Sequence, residues 1–158
     1  MTQLTTSIDI DAPAETVWQV LTDFDSYPEW NGYTRIAGAP EEGTRLVVSS
    51  GPEVGRMPTF KPTVLQAGDG ELRWLGHLFV RGLFDGEHRF VVQDMGEGRS
   101  RLIQSETFSG LLVGPINRLY GDDTKRNFDG VNAALKARAE AMATADAGHQ
   151  ASGEVSEV

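Results

Sequence analysis

The sequence of 158 residues offers few side chains for acid–base or nucleophilic chemistry in a protected site. It contains no cysteine, which excludes thiolate nucleophiles, disulfides and cysteine-ligated metals. A three-histidine metal site would need all three of its histidines, His77, His88 and His149. His149 lies in a C-terminal segment without apolar periodicity, and no phosphate-binding loop or metal-binding motif accompanies the others. We therefore expect no metal and no cofactor.

His88 and Glu106 are the candidate catalytic pair. Alternation along two predicted strands puts both on the face with more aromatic residues, which we take as the inner one, whereas His77 falls on the outer face of its strand. An enclosed histidine and carboxylate can act together as general acid and base on an enolisable carbonyl. The alternative is structural, with His88 satisfying a hydrogen bond and Glu106 bridging it. Four further residues of this wall are candidate ligand contacts, namely Trp74, Phe90, Gln104 and Phe108.

The elements that position this pair follow from residue periodicity. A first strand over Thr5–Asp11 precedes a short amphipathic helix that opens at Pro13 and ends near Asp23. An aromatic-rich turn or a second short helix then covers Asp25–Asn31. The period then changes to that of strands separated by glycine-rich turns, including Asp85-Gly86. The six candidate strands are Tyr33–Ala39, Thr44–Ser50, Thr59–Ala67, Glu71–His77, Glu87–Asp94 and Arg101–Ser109.

A long amphipathic helix is predicted over Pro115–Ala143, with Gly121 and Gly130 marking a kink, a close approach or room for a ligand. The order of elements indicates an α+β fold in which a curved antiparallel sheet wraps around this helix. A gap between the two layers would form a mostly apolar pocket. We expect aromatic side chains at its mouth, namely Trp30, Tyr33 and Phe60. The helix would contribute Asn117, Tyr120, Phe128 and Asn132.

Charge and hydropathy limit the partners. The formal net charge of −9 disfavours nucleic acid and anionic membrane surfaces on bulk charge. No run of about 20 apolar residues could span a bilayer, and the N-terminus lacks the pattern of a signal peptide, so we expect a cytoplasmic protein without integral membrane association. We expect one domain over residues 1–144 and a disordered acidic tail over 145–158.

Six separated blocks of the sequence resemble the polyketide cyclase/dehydrase and lipid-transport family of the START-like (SRPBCC, Bet v 1-like) superfamily. The blocks are Asp11–Trp18, Leu21–Asn31, Leu72–Trp74, Gly82–Phe90, Glu106–Gly110 and Asn132–Lys136. The resemblance implies the helix-grip fold, a seven-stranded antiparallel sheet around a long C-terminal helix with a ligand cavity between them. It leaves the reaction open, because members include cyclases, hydrolases and carriers of lipids or quinones.

Three functions are compatible with these observations. The first is a carrier or sequestering protein for a hydrophobic small molecule such as a lipid, isoprenoid or polyketide. The second is a cofactor-independent cyclase or dehydratase that uses His88 and Glu106. The third is a protein-interaction module. The apolar connection Leu78–Phe84 is a candidate lid or dimer contact, so a homodimer is one alternative, and its Arg81 is a solvated loop residue or an anchor for a ligand carboxylate.

Overall fold

The computed structural model describes residues 2–154, except for the side chains of Tyr120 and of residues 152–154. Seven strands, two helices and a 3₁₀ turn precede one long helix. In chain order these are β1 (Thr2–Ile10), α1 (Ala14–Thr22), a 3₁₀ turn (Phe24–Ser26), α2 (Tyr27–Trp30), β2 (Thr34–Ala37), β3 (Val47–Ser50), β4 (Thr63–Gly68), β5 (Glu71–Leu78), β6 (Phe84–Gly96), β7 (Arg99–Ser109) and α3 (Val113–Glu154).

The strands form two antiparallel sheets. Five of them pair in the order β1-β7-β6-β5-β4, and β2 pairs with β3. Two isolated bridges connect these segments: Val48 of β3 pairs with Phe60, and Arg45 pairs with Thr63 of β4. Pro62 lies in this connection and has no N–H to donate, which interrupts a continuous ladder and delays the start of β4 to Thr63. The α+β class and the number of strands are as predicted, but a single seven-stranded sheet is not formed.

Most of the core lies between the sheet, α1 and the C-terminal half of α3. Helix α1 buries Val17, Val20 and Leu21 on one face, as its spacing predicts. Helix α3 contributes Leu135 and Ala139, both fully buried. A second, smaller cluster is built by Phe84, Phe108 and Val113, with Leu78 and Ile116 packed against it.

Polar contacts fasten the C-terminal half of α3 to the first strand. Lys136 Nζ donates to the carbonyl of Asp9 at 2.7 Å, and the backbone N–H of Asp11 donates to Glu140 Oε1 at 2.9 Å. This backbone hydrogen bond, together with Lys136, holds the pKa of Glu140 below its usual range. A third contact joins Arg138 to Glu29 of α2 at 2.6 Å. The position of this half of α3 is therefore set both by apolar burial and by contacts at its rim.

Several element boundaries differ from the predicted ones, among them those of α3 and β6. Helix α3 continues to Glu154 instead of ending near Ala143, so residues 145–154 of the expected disordered tail are helical, while residues 155–158 lie outside the described residues. Asp85 and Gly86, expected in a turn, lie inside β6 because each pairs with residues on both neighbouring strands. The predicted turns at Gly68–Gly70 and Gly96–Gly98 are confirmed, with positive φ at Asp69 and Glu97.

Two glycines of α3, Gly121 and Gly130, provide a matched pair of substitutions. A Cβ at Gly130 would lie 2.3 Å from Cζ of Tyr33, whose ring covers this turn of the helix, whereas no atom of the described chain lies within 4 Å of one at Gly121. We expect Gly121→Ala to raise the free energy of unfolding by about 1 kcal/mol, the usual gain in helix propensity. Gly130→Ala should lower it, because overpacking costs about 1–3 kcal/mol. Urea denaturation measures both, and equal gains would contradict the close approach of Tyr33.

Candidate functional site

A row of polar side chains divides the inner face of the sheet between the two apolar clusters. On β6, the small Gly86 and the polar His88 face inward between two phenylalanines, Phe84 and Phe90. On β7, the polar Gln104 and Glu106 face inward between Leu102 and Phe108. The main core includes Phe90 and Leu102, and the smaller cluster includes Phe84 and Phe108. The polar row is thus enclosed by apolar groups at both ends.

Strand register brings His88 and Glu106 together. The two residues are direct partners in the β6–β7 ladder, and His88 Nδ1 lies 3.5 Å from Glu106 Oε2. The side chains are 11% and 19% exposed, so the pair is screened from bulk water without being sealed off. This distance is slightly longer than the 2.6–3.2 Å typical of a productive catalytic hydrogen bond, as is common before a ligand is bound. The structure therefore unites the predicted pair.

Aromatic rings surround the imidazole of His88. Trp74 of β5 stacks on it with centroids 5.1 Å apart, and Phe90 lies at 4.6 Å. Phe128 of α3 meets it edge-on at 5.0 Å. Three of the predicted ligand contacts thus form the wall around the predicted acid–base residue. These flat apolar surfaces hold the imidazole ring in one orientation.

The amide of Gln104 contacts the second ring nitrogen of His88. Gln104 Nε2 lies 2.9 Å from His88 Nε2. An amide nitrogen can only donate, so His88 Nε2 accepts and the proton of the neutral ring is on Nδ1, facing Glu106. Half a turn of the amide would instead present its oxygen to a protonated Nε2. Gln104 can therefore partner both the neutral and the charged imidazole.

Two buried carbonyl oxygens beside this pair lack partners in the described part of the chain. They are Oε1 of Gln104 and Oδ1 of Asn132, in side chains that are each 2% exposed. The amide nitrogen of Asn132 donates to the hydroxyl of Thr6 at 2.8 Å, and Thr6 is the β1 partner of Gln104. Leaving a buried acceptor unsatisfied is costly, so these oxygens suit a donor from a hydroxyl group or a water molecule.

Gly86 makes room for the carboxylate of Glu106. A Cβ on Gly86 would lie 2.9 Å from Glu106 Oε1, so the glycine and the carboxylate share one volume on the inner face. The sequence pattern does not predict this role, because Asp85-Gly86 has the composition of a turn. Extending the alternation of His88, Phe90 and Val92 backwards by two steps would have found both Gly86 and Phe84.

The N-terminal half of α3 lies over the site without strong anchorage of its own. Val113 is buried in the smaller cluster, and the next buried side chain described along the helix is Phe128. From residue 114 to residue 127, every described side chain is half-buried or exposed. This stretch contrasts with the turns that follow it, where Val131, Leu135 and Ala139 are buried. Of the turns of α3 up to Ala139, those before Phe128, beside His88, are therefore the least constrained by packing.

The remaining predicted ligand contacts are dispersed. Tyr33 packs on Gly130, two residues beyond Phe128, which keeps it near the N-terminal half of α3. Trp30 packs against Tyr27 and lines a small concavity with Arg138, away from the pair. Half-buried Phe60 hydrogen-bonds through its backbone to Val48, and Asn117 is half-buried on α3. The side chain of Tyr120 lies outside the described residues.

The described concavities do not coincide with the predicted pocket. The larger, of about 280 Å³, is an open groove lined by Ala14, Trp18, Val92 and the turn at Asp69 and Gly70. The smaller, of about 40 Å³, is the one beside Trp30. Neither is lined by His88 or Glu106, because Phe128 and Trp74 pack directly on the imidazole.

Comparison with known proteins identifies the family. Residues 1–140 match the model of the family described as polyketide cyclase/dehydrase and lipid transport. The chain belongs to this family. Among curated proteins, none matches the sequence.

Several solved structures share the fold. A START superfamily protein from Mycobacterium smegmatis is 20% identical, with a TM-score of 0.67 over 89% of this chain and 98% of that one. The di-domain ARO/CYC BexL of the BE-7585A biosynthetic pathway is 14% identical, with a TM-score of 0.67 over 89% of this chain and 47% of that one. Norcoclaurine synthase from Thalictrum flavum is 15% identical, with a TM-score of 0.59 over 84% of each chain. These likenesses show that the chain shares its fold with these proteins.

The described residues contain neither a cluster of metal ligands nor a membrane-spanning helix. No group of three or more histidine, aspartate or glutamate side chains there is placed to hold a metal ion. In the same part of the chain, no helix combines the length and the apolar character needed to cross a membrane.

The contact between Gly86 and Glu106 predicts how the pair can be separated. Gly86→Ala should displace the carboxylate from its present position beside His88 Nδ1, because its Cβ would overlap Oε1. The carboxylate is the flexible end of its side chain, so we expect a stability loss below about 1.5 kcal/mol. Nitrogen-15 NMR of His88 should show the Nδ1–H tautomer in the parent protein and a changed Nδ1 resonance in the variant. An unchanged resonance would mean that Glu106 does not contact the imidazole.

Proposed function

We propose that this protein binds a hydrophobic small molecule between the inner face of the sheet and the N-terminal half of α3. The proposal rests on one observation. The row of polar side chains that separates the two apolar clusters lies beneath residues 114–127 of α3, among which no described side chain is buried. A ligand there would contact the aromatic wall of Trp74, Phe90 and Phe128. Displacement of this loosely packed half of α3 would admit it, since the C-terminal half is anchored separately.

The chemistry of the row suggests the kind of ligand. An apolar body suits the aromatic walls, and a hydroxyl group would satisfy the unpartnered acceptors on Gln104 and Asn132. Polyketide-like and phenolic molecules combine both features. The similar fold of norcoclaurine synthase, described in complex with dopamine and hydroxybenzaldehyde, supports this class. So does the similar fold of an ARO/CYC protein from a biosynthetic pathway.

Ligand binding can be tested with a panel of phenolic polyketides, isoprenoids and fatty acids. We expect a thermal shift and a complex in native mass spectrometry for a hydroxylated aromatic member. Gln104→Leu should weaken its affinity about tenfold, as expected for a lost hydrogen bond of about 1.4 kcal/mol. Gln93→Leu, on the exposed outer face of β6, is the matched control. No binding across the panel, or equal effects of both variants, would contradict the proposed site.

A second candidate function is acid–base catalysis on the bound molecule, favoured by the 3.5 Å approach of His88 to Glu106. The partly exposed carboxylate would take a proton from the carbon next to a carbonyl, while the Nδ1–H of His88 stabilises its charged form. Returning that proton to a departing hydroxyl would release water and restore the starting protonation state. A cyclase or dehydratase reaction of this kind requires no cofactor.

Catalysis can be separated from binding by a conservative substitution. Glu106→Gln should lower the rate of dehydration of a β-hydroxyketone about 10²–10⁴-fold, the usual contribution of a general acid or base, with ligand affinity nearly unchanged. Glu87→Gln changes a carboxylate on the outer face, where it pairs with Arg73, and should have no effect. Binding without turnover in the parent protein would rule out catalysis and leave the carrier function.

A further inference from the structure

Four large apolar side chains are strongly exposed at one end of the molecule. Phe79 and Val80, in the loop between β5 and β6, are 78% and 61% exposed. Leu111, in the loop between β7 and α3, is 83% exposed, and Leu119 of α3 is 74% exposed. The other exposed large apolar residues described reach at most 49% and are scattered over the surface. Contiguous exposed apolar groups mark interaction surfaces, whereas single ones are normal.

The two loops form one surface, which we call the apolar tip and define by Phe79, Val80 and Leu111. The backbone N–H of Leu111 donates to the carbonyl of Gly82 at 3.2 Å, and that of Leu112 donates to Leu83 at 2.9 Å. These bonds lock the loops side by side. Leu119 lies about 9 Å further along, six residues after the start of α3 at 1.5 Å per residue.

Asp85 holds the first of these loops in its exposed conformation. Its carboxylate accepts the backbone N–H of Gly82 at 3.0 Å on both oxygens and lies 2.8 Å from Nδ1 of His77. Phe79 adopts φ of 70°, in the left-handed region that a bulky side chain normally avoids. The exposure of Phe79 therefore results from a defined conformation of the loop backbone.

The charge of this end differs from that of the whole protein. Segments 78–84 and 110–119 contain two arginines, Arg81 and Arg118, and no acidic residue, whereas the chain as a whole carries −9. Both arginines are exposed. Asp85 is an adjacent acid, and its carboxylate is occupied by Gly82 and His77. Asp122 and Asp123 follow on α3, more than one turn away from the tip along the helix, and Asp123 pairs with Arg126 at 3.2 Å. Bulk charge disfavours anionic surfaces, but the two loops themselves contain one arginine, Arg81, and no acidic residue.

We infer that the apolar tip docks on the surface of an anionic lipid bilayer. Phe79, Val80 and Leu111 would enter the boundary between headgroups and acyl chains, about 5–10 Å deep, while Arg81 and Arg118 contact lipid phosphates. The acidic remainder of the protein would face the solvent, where salt screens its repulsion beyond about 8 Å.

A second copy of the chain suits the tip less well. A stable dimer needs about 800 Å² from each partner. A phenylalanine buries about 150–250 Å², so the tip, with one phenylalanine and two smaller side chains, falls short of that area. A bilayer needs no complementary surface and accepts any protruding apolar group beside a cation.

Co-sedimentation with vesicles tests this inference on the full chain. We expect binding to vesicles of phosphatidylcholine mixed equally with phosphatidylglycerol, weaker binding to phosphatidylcholine alone, and a decrease with added salt. Phe79→Asp should lower the partition coefficient about tenfold or more, because burying a phenylalanine side chain is worth that much. Arg81→Gln should lower it about fivefold.

Met95→Asp is the matched control, because Met95 is an exposed apolar residue at the opposite end of β6. Circular dichroism should show that all variants remain folded. Failure of the parent protein to bind either vesicle, or equal losses in Met95→Asp and Phe79→Asp, would overturn the inference. So would sedimentation equilibrium showing a dimer that Leu111→Asp converts to a monomer. These outcomes do not depend on the small-molecule ligand, whose binding is measured without lipid.

Discussion

The antiparallel pairing of β6 with β7 is the interaction on which the rest of the site depends. These are the two longest strands, and their register makes His88 the direct partner of Glu106. A slip of one residue would turn every side chain of a strand to the opposite face. The same register sets Gly86 opposite Phe108 and leaves an empty volume that the Glu106 carboxylate fills. One ladder of backbone hydrogen bonds thus positions His88, Glu106 and the volume that the carboxylate occupies.

Burying a polar group without a hydrogen-bond partner is costly, and this explains the arrangement of the polar side chains between β6 and β7. His88 finds one partner on each side, Gln104 and Glu106, while aromatic rings cover its faces. The oxygens of Gln104 and Asn132 have no partner in the described part of the chain, and a buried acceptor of this kind needs an explanation such as a catalytic role or a bound water molecule. On the helix, the absence of a side chain at Gly130 makes room for the ring of Tyr33.

The two halves of α3 have different physical roles. Beyond Phe128 the helix is held by Leu135 and Ala139 in the core and by Lys136 and Glu140 at its rim. Before Phe128 it is anchored mainly at its first turn, where the smaller cluster packs on Val113. The less anchored half lies next to the apolar tip, so the proposed ligand site and the proposed lipid contact occupy the same end of the molecule.

The sequence by itself determined the α+β class, the number of strands and the inward face of each central strand, because alternation and helical periodicity are local properties. It also identified His88 and Glu106 as candidates on one face. Only the tertiary structure decided that they meet, since contact depends on register between strands that are distant in the chain. Strand β6 through Asp85 and Gly86, the division into two sheets at Pro62 and the packing of Tyr33 on Gly130 also required it. In each case the structure depends on a contact with a residue that is distant in the sequence. The residue type at one position does not show which distant residue it contacts.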